Sequence, residues 1–519
     1  GGAGCERGDT GALEVGVAMV EITPEIGPLT DVMTLDVDGN GEFEPFEGDV
    51  FEDRNGNGVF DGEWIAGFGN GRPASGVRDP QWARVLVLRN GDTTLAFASV
   101  DLVGYFFDEV VLIREALADT EIDFLSVSAT HSHEARDTVG IWGVDLSTTG
   151  VSLEYNARVR DAIEEAARAA LLDLRLANIQ YASLRLRDQP GGMLRYVSDA
   201  REPWIIDDEV RLLRFLEAGD GPTIATLVNW GSHPEYMGSS NTELSSDFAH
   251  YLRQAIEDGV TGPDGAIEPG LGGMAIYFNG AVGSQIGPIG TQQSSWAGDP
   301  IPRNTLESAQ AAGEQVGYFA LRALGPGGGA TTDAAAALSF RRRELLAKIQ
   351  NRGYHVAVLQ GLFVRSTYEW DPGGLLRPGV NEPSLLTEIS VVDIGRAQIL
   401  SVPGEIDPSL WVGGYDGSYT PAGVEIVDTS LLNPPDLASA PAAPYLIDRM
   451  RSDAEMKMLF GLTNDEIGYF VPAYDYELDP RMPYLEEAPG DHYEETNSIG
   501  VDGWPTIEAQ IHALLAWTP

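Results

Sequence analysis

Residues 125–134 read L-S-V-S-A-T-H-S-H-E, an apolar, β-branched run followed by His131 and His133. In an extended backbone, positions i and i+2 project to one side, so this spacing predicts two imidazoles facing the same way at a strand exit. Neutral imidazole is the commonest protein ligand for zinc, and the end of a sheet strand holds such a ligand rigidly. The chain has only seven histidines, which makes a pair at one exit an unusual concentration. A hydrogen-bonded turn with no metal is the alternative, and this segment alone does not separate the two.

Three further segments bear on the question. Residues 227–233, L-V-N-W-G-S-H, form another apolar run ending in a histidine, His233, and stopped by Pro234. Residues 399–405, I-L-S-V-P-G-E, end in a Pro-Gly turn that presents Glu405. Residues 464–472, N-D-E-I-G-Y-F-V-P, put Tyr469 directly after a glycine. A carboxylate and two or three histidines, each at a strand exit, compose an open zinc site. Tyrosine is a rarer ligand, and spacing alone does not bring Tyr469 into the set. Asp101, ending a predicted strand over 94–101, is placed to orient a ligand histidine from behind.

These segments also resemble the neutral/alkaline, non-lysosomal ceramidase family. That family's T-H-T-H-S motif is similar to T-H-S-H at 130–133, and its N-W-x-x-H-P to residues 229–234. Its V-P-G-E stands unchanged at 402–405, and its G-Y-V-T is similar to G-Y-F-V at 468–471. Its Y-E-G-A-S is similar to Y-E-E-T-N at 493–497, so the motifs follow the family's order. The resemblance implies zinc ligands at His131, His233, Glu405 and Tyr469, with His133 and Tyr493 lining the pocket around the scissile amide. It implies a secreted, zinc-dependent amide hydrolase that cleaves an N-acyl amide with a zinc-activated water, His133 or Tyr493 donating to the oxyanion or the leaving amine.

Departures from the family pattern are equally specific. Its G-D-V-S-P loop, which carries a functional serine, reads Gly283-Ser284-Gln285-Ile286-Gly287-Pro288, leaving Ser284 as the nearby candidate. Its G-I-H reads Gly76-Val77-Arg78, and its N-R-S-P reads Arg187-Asp188-Gln189-Pro190. The expectation is that the family's C-terminal β-sandwich is absent. The expected substrate is therefore an N-acyl amide or lipid-like small molecule, with ceramide turned over poorly. Two rivals stand beside this reading. An amidohydrolase barrel also uses H-x-H at a strand end, but wants more histidines and an aspartate on later strands. A ceramidase-like secreted scaffold, kept for binding or assembly and stabilised by calcium, would explain the altered loop.

Composition narrows the setting. The 519 residues, 43% of them hydrophobic, suffice for a large core. With 79 acidic against 33 basic residues, the net charge of −46 disfavours nucleic acid and anionic membranes. Cys5 is the one cysteine, so neither an intrachain disulfide nor a cysteine-based zinc site is possible. Ala3-Gly4-Cys5 is similar to the end of a bacterial lipobox, making a lipid anchor at Cys5 and an extracellular or cell-surface location one expectation and a plain thiol the other. No stretch has the length of a transmembrane helix, and homo-oligomerisation is not readable.

An acidic, Gly-rich insertion spans 31–72. Within it, residues 36–47 fit an EF-hand calcium loop, with oxygen ligands at loop positions 1, 3, 5, 9 and 12 and Gly41 at the sharp turn; Asp36, Asp38, Asn40, Glu42 and Glu47 are the candidate donors. A variant second loop offers Asp53, Asn55, Asn57, Asp61 and Glu63. Elsewhere strands are predicted over 16–23, 82–88, 209–215, 223–230, 275–278, 337–343, 386–394 and 398–402. Helices are predicted over 108–118, 153–172, 247–257, 305–324 and 507–517. Alternation of this kind predicts an α/β fold of layered mixed sheets with flanking helices. The expected organisation is an N-terminal tail over 1–15 and one catalytic domain over 16–519, with an internal linker at 325–335.

Overall fold

The computed structural model describes residues 2–5, 11–219, 221–287 and 293–518. Its centre is two stacked sheets. The larger has nine strands, running from Met274–Asn279 through Thr223–Trp230, Glu209–Glu217, Arg175–Arg185, Glu14–Glu21, Trp82–Asn90 and Thr93–Val100 to Phe124–Ala129, with Thr331–Asp333 paired onto Arg175–Arg185. The smaller has five, ordered Gly2–Cys5, Leu338–Lys348, Ser384–Ile394, Ala397–Ser401 and Met456–Phe460. Most pairings are antiparallel, but the last pair at each end of the large sheet, and the pair of Ala397–Ser401 with Met456–Phe460, are parallel.

Burial explains the layering. Strands such as T-I-A-T-L-V-N-W are buried along their whole length, so both faces need cover. On the inner face, Leu227, Ile276 and Phe278 meet Ile399, Met458 and Phe460 from the small sheet. Phe278 stacks on Phe460 at 4.3 Å. Each such side chain contributes roughly 1.5–3 kcal/mol when withdrawn from water. On the outer face, helices Phe107–Ala116 and Leu153–Leu172 cover one half of the large sheet, and Phe248–Asp258 with Leu306–Leu324 the other. Gly503–Ala516 covers the small sheet. The result is helix, sheet, sheet, helix.

The helix over Leu153–Leu172 and the strand over Thr223–Trp230 have the predicted limits. Others differ at their ends; Leu338–Lys348 extends five residues beyond the predicted 343, its outer half pairing with Ser384–Glu388 along the full ladder. The segment 325–335 is no simple linker, since Thr331–Asp333 joins the large sheet. Within the tail, Gly2–Cys5 is an edge strand, and Cys5 is half-buried against the inter-sheet core. Among the described residues, no helix is long and apolar enough to cross a membrane.

Candidate metal centre

Strand exits from both sheets meet at one seam. The strand Phe124–Ala129 delivers His131, and Thr223–Trp230 delivers His233. From the other sheet, the chain leaving Ala397–Ser401 delivers Glu405, and the chain leaving Met456–Phe460 delivers Tyr469. A two-residue parallel bridge then locks Glu405 opposite Tyr469.

The two histidines of the H-x-H motif do converge, but not by the pleat that the spacing suggested. The strand ends at Ala129, and His131 sits in the left-handed region with φ 70°. Its backbone N–H donates to the Leu102 carbonyl at 2.9 Å, and that of His133 to the Pro234 carbonyl at 2.9 Å. A turn, held by two neighbouring strand exits, therefore aims the rings at each other. Gly67 takes part: it has φ 101°, and a Cβ there would lie 2.4 Å from His133 Cγ.

Backbone carbonyls fix which nitrogen each ring presents. His131 Nδ1 meets the Val103 carbonyl at 2.6 Å, and His233 Nδ1 meets that of Gln285 at 2.9 Å. A carbonyl only accepts, so each Nδ1 carries the proton and each Nε2 keeps its lone pair for the cluster. His131 Nε2 lies 3.3 Å from His133 Nε2 and 3.1 Å from Glu405 Oε2. His233 Nε2 lies 2.9 Å from the same oxygen and 3.3 Å from the Tyr469 hydroxyl. Donors about 2.0–2.1 Å from one tetrahedral ion are roughly 3.3 Å apart. Lone pairs and a carboxylate crowded at this spacing repel unless a cation or protons lie between them, so the donor set fits a metal.

Without a cation, protons take that place. Burial works against a charge on His233, but the Glu405 carboxylate outweighs it and raises the imidazole to about 9. Burial alone would raise Glu405, and His131 and His233 hold it well below the usual carboxylate range. His133 is pushed well down by burial and by the other two imidazoles, and stays neutral.

Above this floor opens a cleft, part of it open to solvent. Val103, Phe106, Ile141, Trp142, Phe363 and Leu385 make its walls apolar. Tyr493 stands at the mouth, about half exposed, with its ring 6.0 Å from that of Tyr469.

Two expected residues lie elsewhere. Ser284 is buried outside the cleft, its hydroxyl directed at Asp199 and Asp407, because the turn after Gly283 packs beneath the Glu405 bridge. Its neighbour Gln285 matters more, pinning the His233 loop through Gly231 at 2.7 Å; Pro288 lies outside the described residues. Asp101 orients no histidine; Arg253 holds both its oxygens at 2.7 and 2.9 Å. Arg78 pairs with Glu243, and Asp188 is exposed; neither lines the cleft.

Two carboxylates escaped the sequence reading. Glu235 directs Oε2 toward His133 Nδ1 at 3.7 Å, and Glu466 lines the cleft beside His131 and Glu405. Both stand within three residues of an expected ligand, which is the signal that could have found them.

The insertion reaches this centre. Arg72, fully buried, donates to the His133 carbonyl at 3.2 Å and pairs with Glu134 at 2.8 Å. Phe68 packs edge-on against His133 at 5.0 Å. In the first loop Asp36 accepts from the Gly41 N–H at 2.8 Å, and in the second Asp53 accepts from the Gly58 N–H at 2.8 Å, the same bond in both. Asp38, Glu44 (loop position 9) and Glu47 converge closely enough for a cation. Asp61 instead accepts from Asn55 and Asn57. Glu42 leans on Gly69, and Glu63 pairs with Arg136, so both turn away from the loops that the pattern assigned them to.

No family profile matches the sequence, and no curated protein matches it. Among solved structures, the fold is that of a neutral ceramidase catalytic region. The neutral ceramidase from Pseudomonas aeruginosa superposes with a TM-score of 0.62 at 14% identity, over 98% of this chain and 74% of that one. A structure described as a ceramidase complexed with C2 gives 0.61 at 14% identity, over 98% and 75%.

Proposed function

We propose that this protein is a metal-dependent hydrolase of N-acyl amides with an apolar acyl group, with zinc as the resident ion. The observation that carries the reading is the placement of three imidazoles and a carboxylate at the floor of an apolar cleft. His131, His233, Glu405 and Tyr469 would hold the ion, with His133 as an adjacent donor. A divalent cation there supplies Lewis acidity to a carbonyl and makes water a better nucleophile at neutral pH. The apolar walls take the acyl chain and exclude bulk water from the amide. Tyr493, at the mouth, can donate its hydroxyl proton to the amide oxygen or the leaving nitrogen, and Glu235 steadies His133. The two Asp- and Asn-rich loops bind calcium and order the insertion that backs His133; millimolar extracellular calcium suits such loops and a secreted or surface location.

A non-catalytic scaffold is the second reading, favoured by the distance of Ser284 from the cleft. Metal analysis of the purified protein, together with hydrolysis of an N-acyl amide panel, separates the two. One bound zinc with turnover supports the hydrolase. One bound zinc with no turnover on any substrate supports the scaffold, and absence of metal removes the centre itself.

A further inference from the structure

Glu466 has no role in the set of donors above, yet its position is tightly specified. It is 9% exposed. One carboxylate oxygen, Oε1, accepts from the Gly468 N–H at 2.8 Å. The other, Oε2, is buried without a hydrogen-bond partner. Ligand atoms of Glu466, His131 and Glu405 all lie within 4.8 Å of one another.

The surrounding chain holds the side chain there. Asn464 and Val127 exchange bonds at 2.6 and 2.9 Å across the two sheets. Asp465 is gripped by Arg365 at 2.8 and 3.0 Å, and the Ile467 N–H donates to the Pro403 carbonyl at 3.1 Å. Asn464 has φ 65° and Leu462 φ 48°, conformations costly for side chains other than glycine. Gly104 makes the space, since a Cβ there would lie 2.7 Å from Glu466 Cβ. A buried, half-unbonded carboxylate next to a second one is costly in the protein alone. A cation between them removes that cost.

We propose that Glu466 is a second carboxylate ligand of the ion at His131 and Glu405. The inference rests on the reading of that cluster as a metal centre. Two carboxylates with imidazoles make a harder donor set with more than four ligands. Such a set tolerates manganese and five-coordinate cobalt better than a four-donor zinc cage does.

The test uses chelator-stripped full-length protein, titrated separately with Co2+, Mn2+ and Zn2+, for the native chain, Glu466→Gln and His233→Ala. Glu466→Gln is expected to weaken Mn2+ by at least about tenfold, a loss the size of an outer-shell change or larger. Its Co2+ visible bands should intensify as the coordination number falls. Glu466→Asp, with a shorter carboxylate, should fall between, and carries the test if Glu466→Gln does not fold. Native affinities and an unchanged Co2+ spectrum in Glu466→Gln, with binding lost in His233→Ala, would overturn the role of Glu466 alone. Native binding retained in His233→Ala would overturn the centre and this ligand together.

Discussion

His233 is held from both ends, by the Gln285 carbonyl on Nδ1 and by Glu405 near Nε2. His233→Ala should therefore remove one fixed donor without disturbing the strand, and lower zinc affinity by more than about a hundredfold at neutral pH. Equilibrium dialysis with metal analysis checks this; full occupancy in the variant refutes the ligand assignment. A second residue-scale prediction concerns the buried cluster where Arg201 meets Asp475, Glu494 and Glu495. Burial raises Glu494 from 4.5 to about 7, despite Arg201. An acid whose folded pKa exceeds its unfolded one destabilises the fold fully above the folded value and not at all below the unfolded one. Glu494→Gln should melt a few degrees higher than the native protein at pH 8, and the difference should shrink as pH falls through 7 and vanish only below 4.5. Equal melting temperatures at pH 8 would contradict the shift. The residues legible from sequence were those ending apolar strands, His131, His233 and Glu405. Glu466 was not, because its backbone enters the cluster through left-handed residues that no periodicity reveals.

At the scale of elements, the insertion joins its acidic loops to His133 through Gly67, Phe68 and Arg72. If the loops bind calcium only when folded, saturation at a hundredfold excess over Kd adds roughly 2.7 kcal/mol. Millimolar calcium should therefore raise the melting temperature, and Glu47→Gln should remove part of the gain; identical curves with and without calcium would defeat the assignment. Element limits were readable where the apolar pattern was long, as in Leu153–Leu172. The strand Arg175–Arg185 was missed although Ala177, Ile179 and Tyr181 alternate with polar residues, because it starts three residues after that helix ends. The helix Arg352–Gln360 was also missed; it buries only His355 and Ala357 and has no continuous apolar stripe.

For the whole molecule, the layered α/β class was legible from alternating strands and helices, but the face-to-face packing of two sheets was not, since it depends on contacts between distant segments. The cleft that this packing leaves has apolar walls, and Ser284 and Asp188 from the altered loops do not line it. A site lacking polar partners for a substrate's hydroxyls discriminates poorly in favour of that substrate. Steady-state assays should therefore show weaker kcat/KM on ceramide than on the best of an N-acyl amino acid series; efficient ceramide hydrolysis would contradict this. One property of the seam extends beyond catalysis. Its donors, His131, His233, Glu405 and Tyr469, come from both sheets and from successive chain positions 64 to 172 residues apart, and the sequence has a single cysteine. An ion bound there ties these positions together much as a disulfide would, and bridges closing loops of that length are worth on the order of 4–5 kcal/mol in the chain-entropy view. Stripping the metal would then do to this protein what reduction does to a secreted one: loosen the two halves from each other while leaving each half's strands paired.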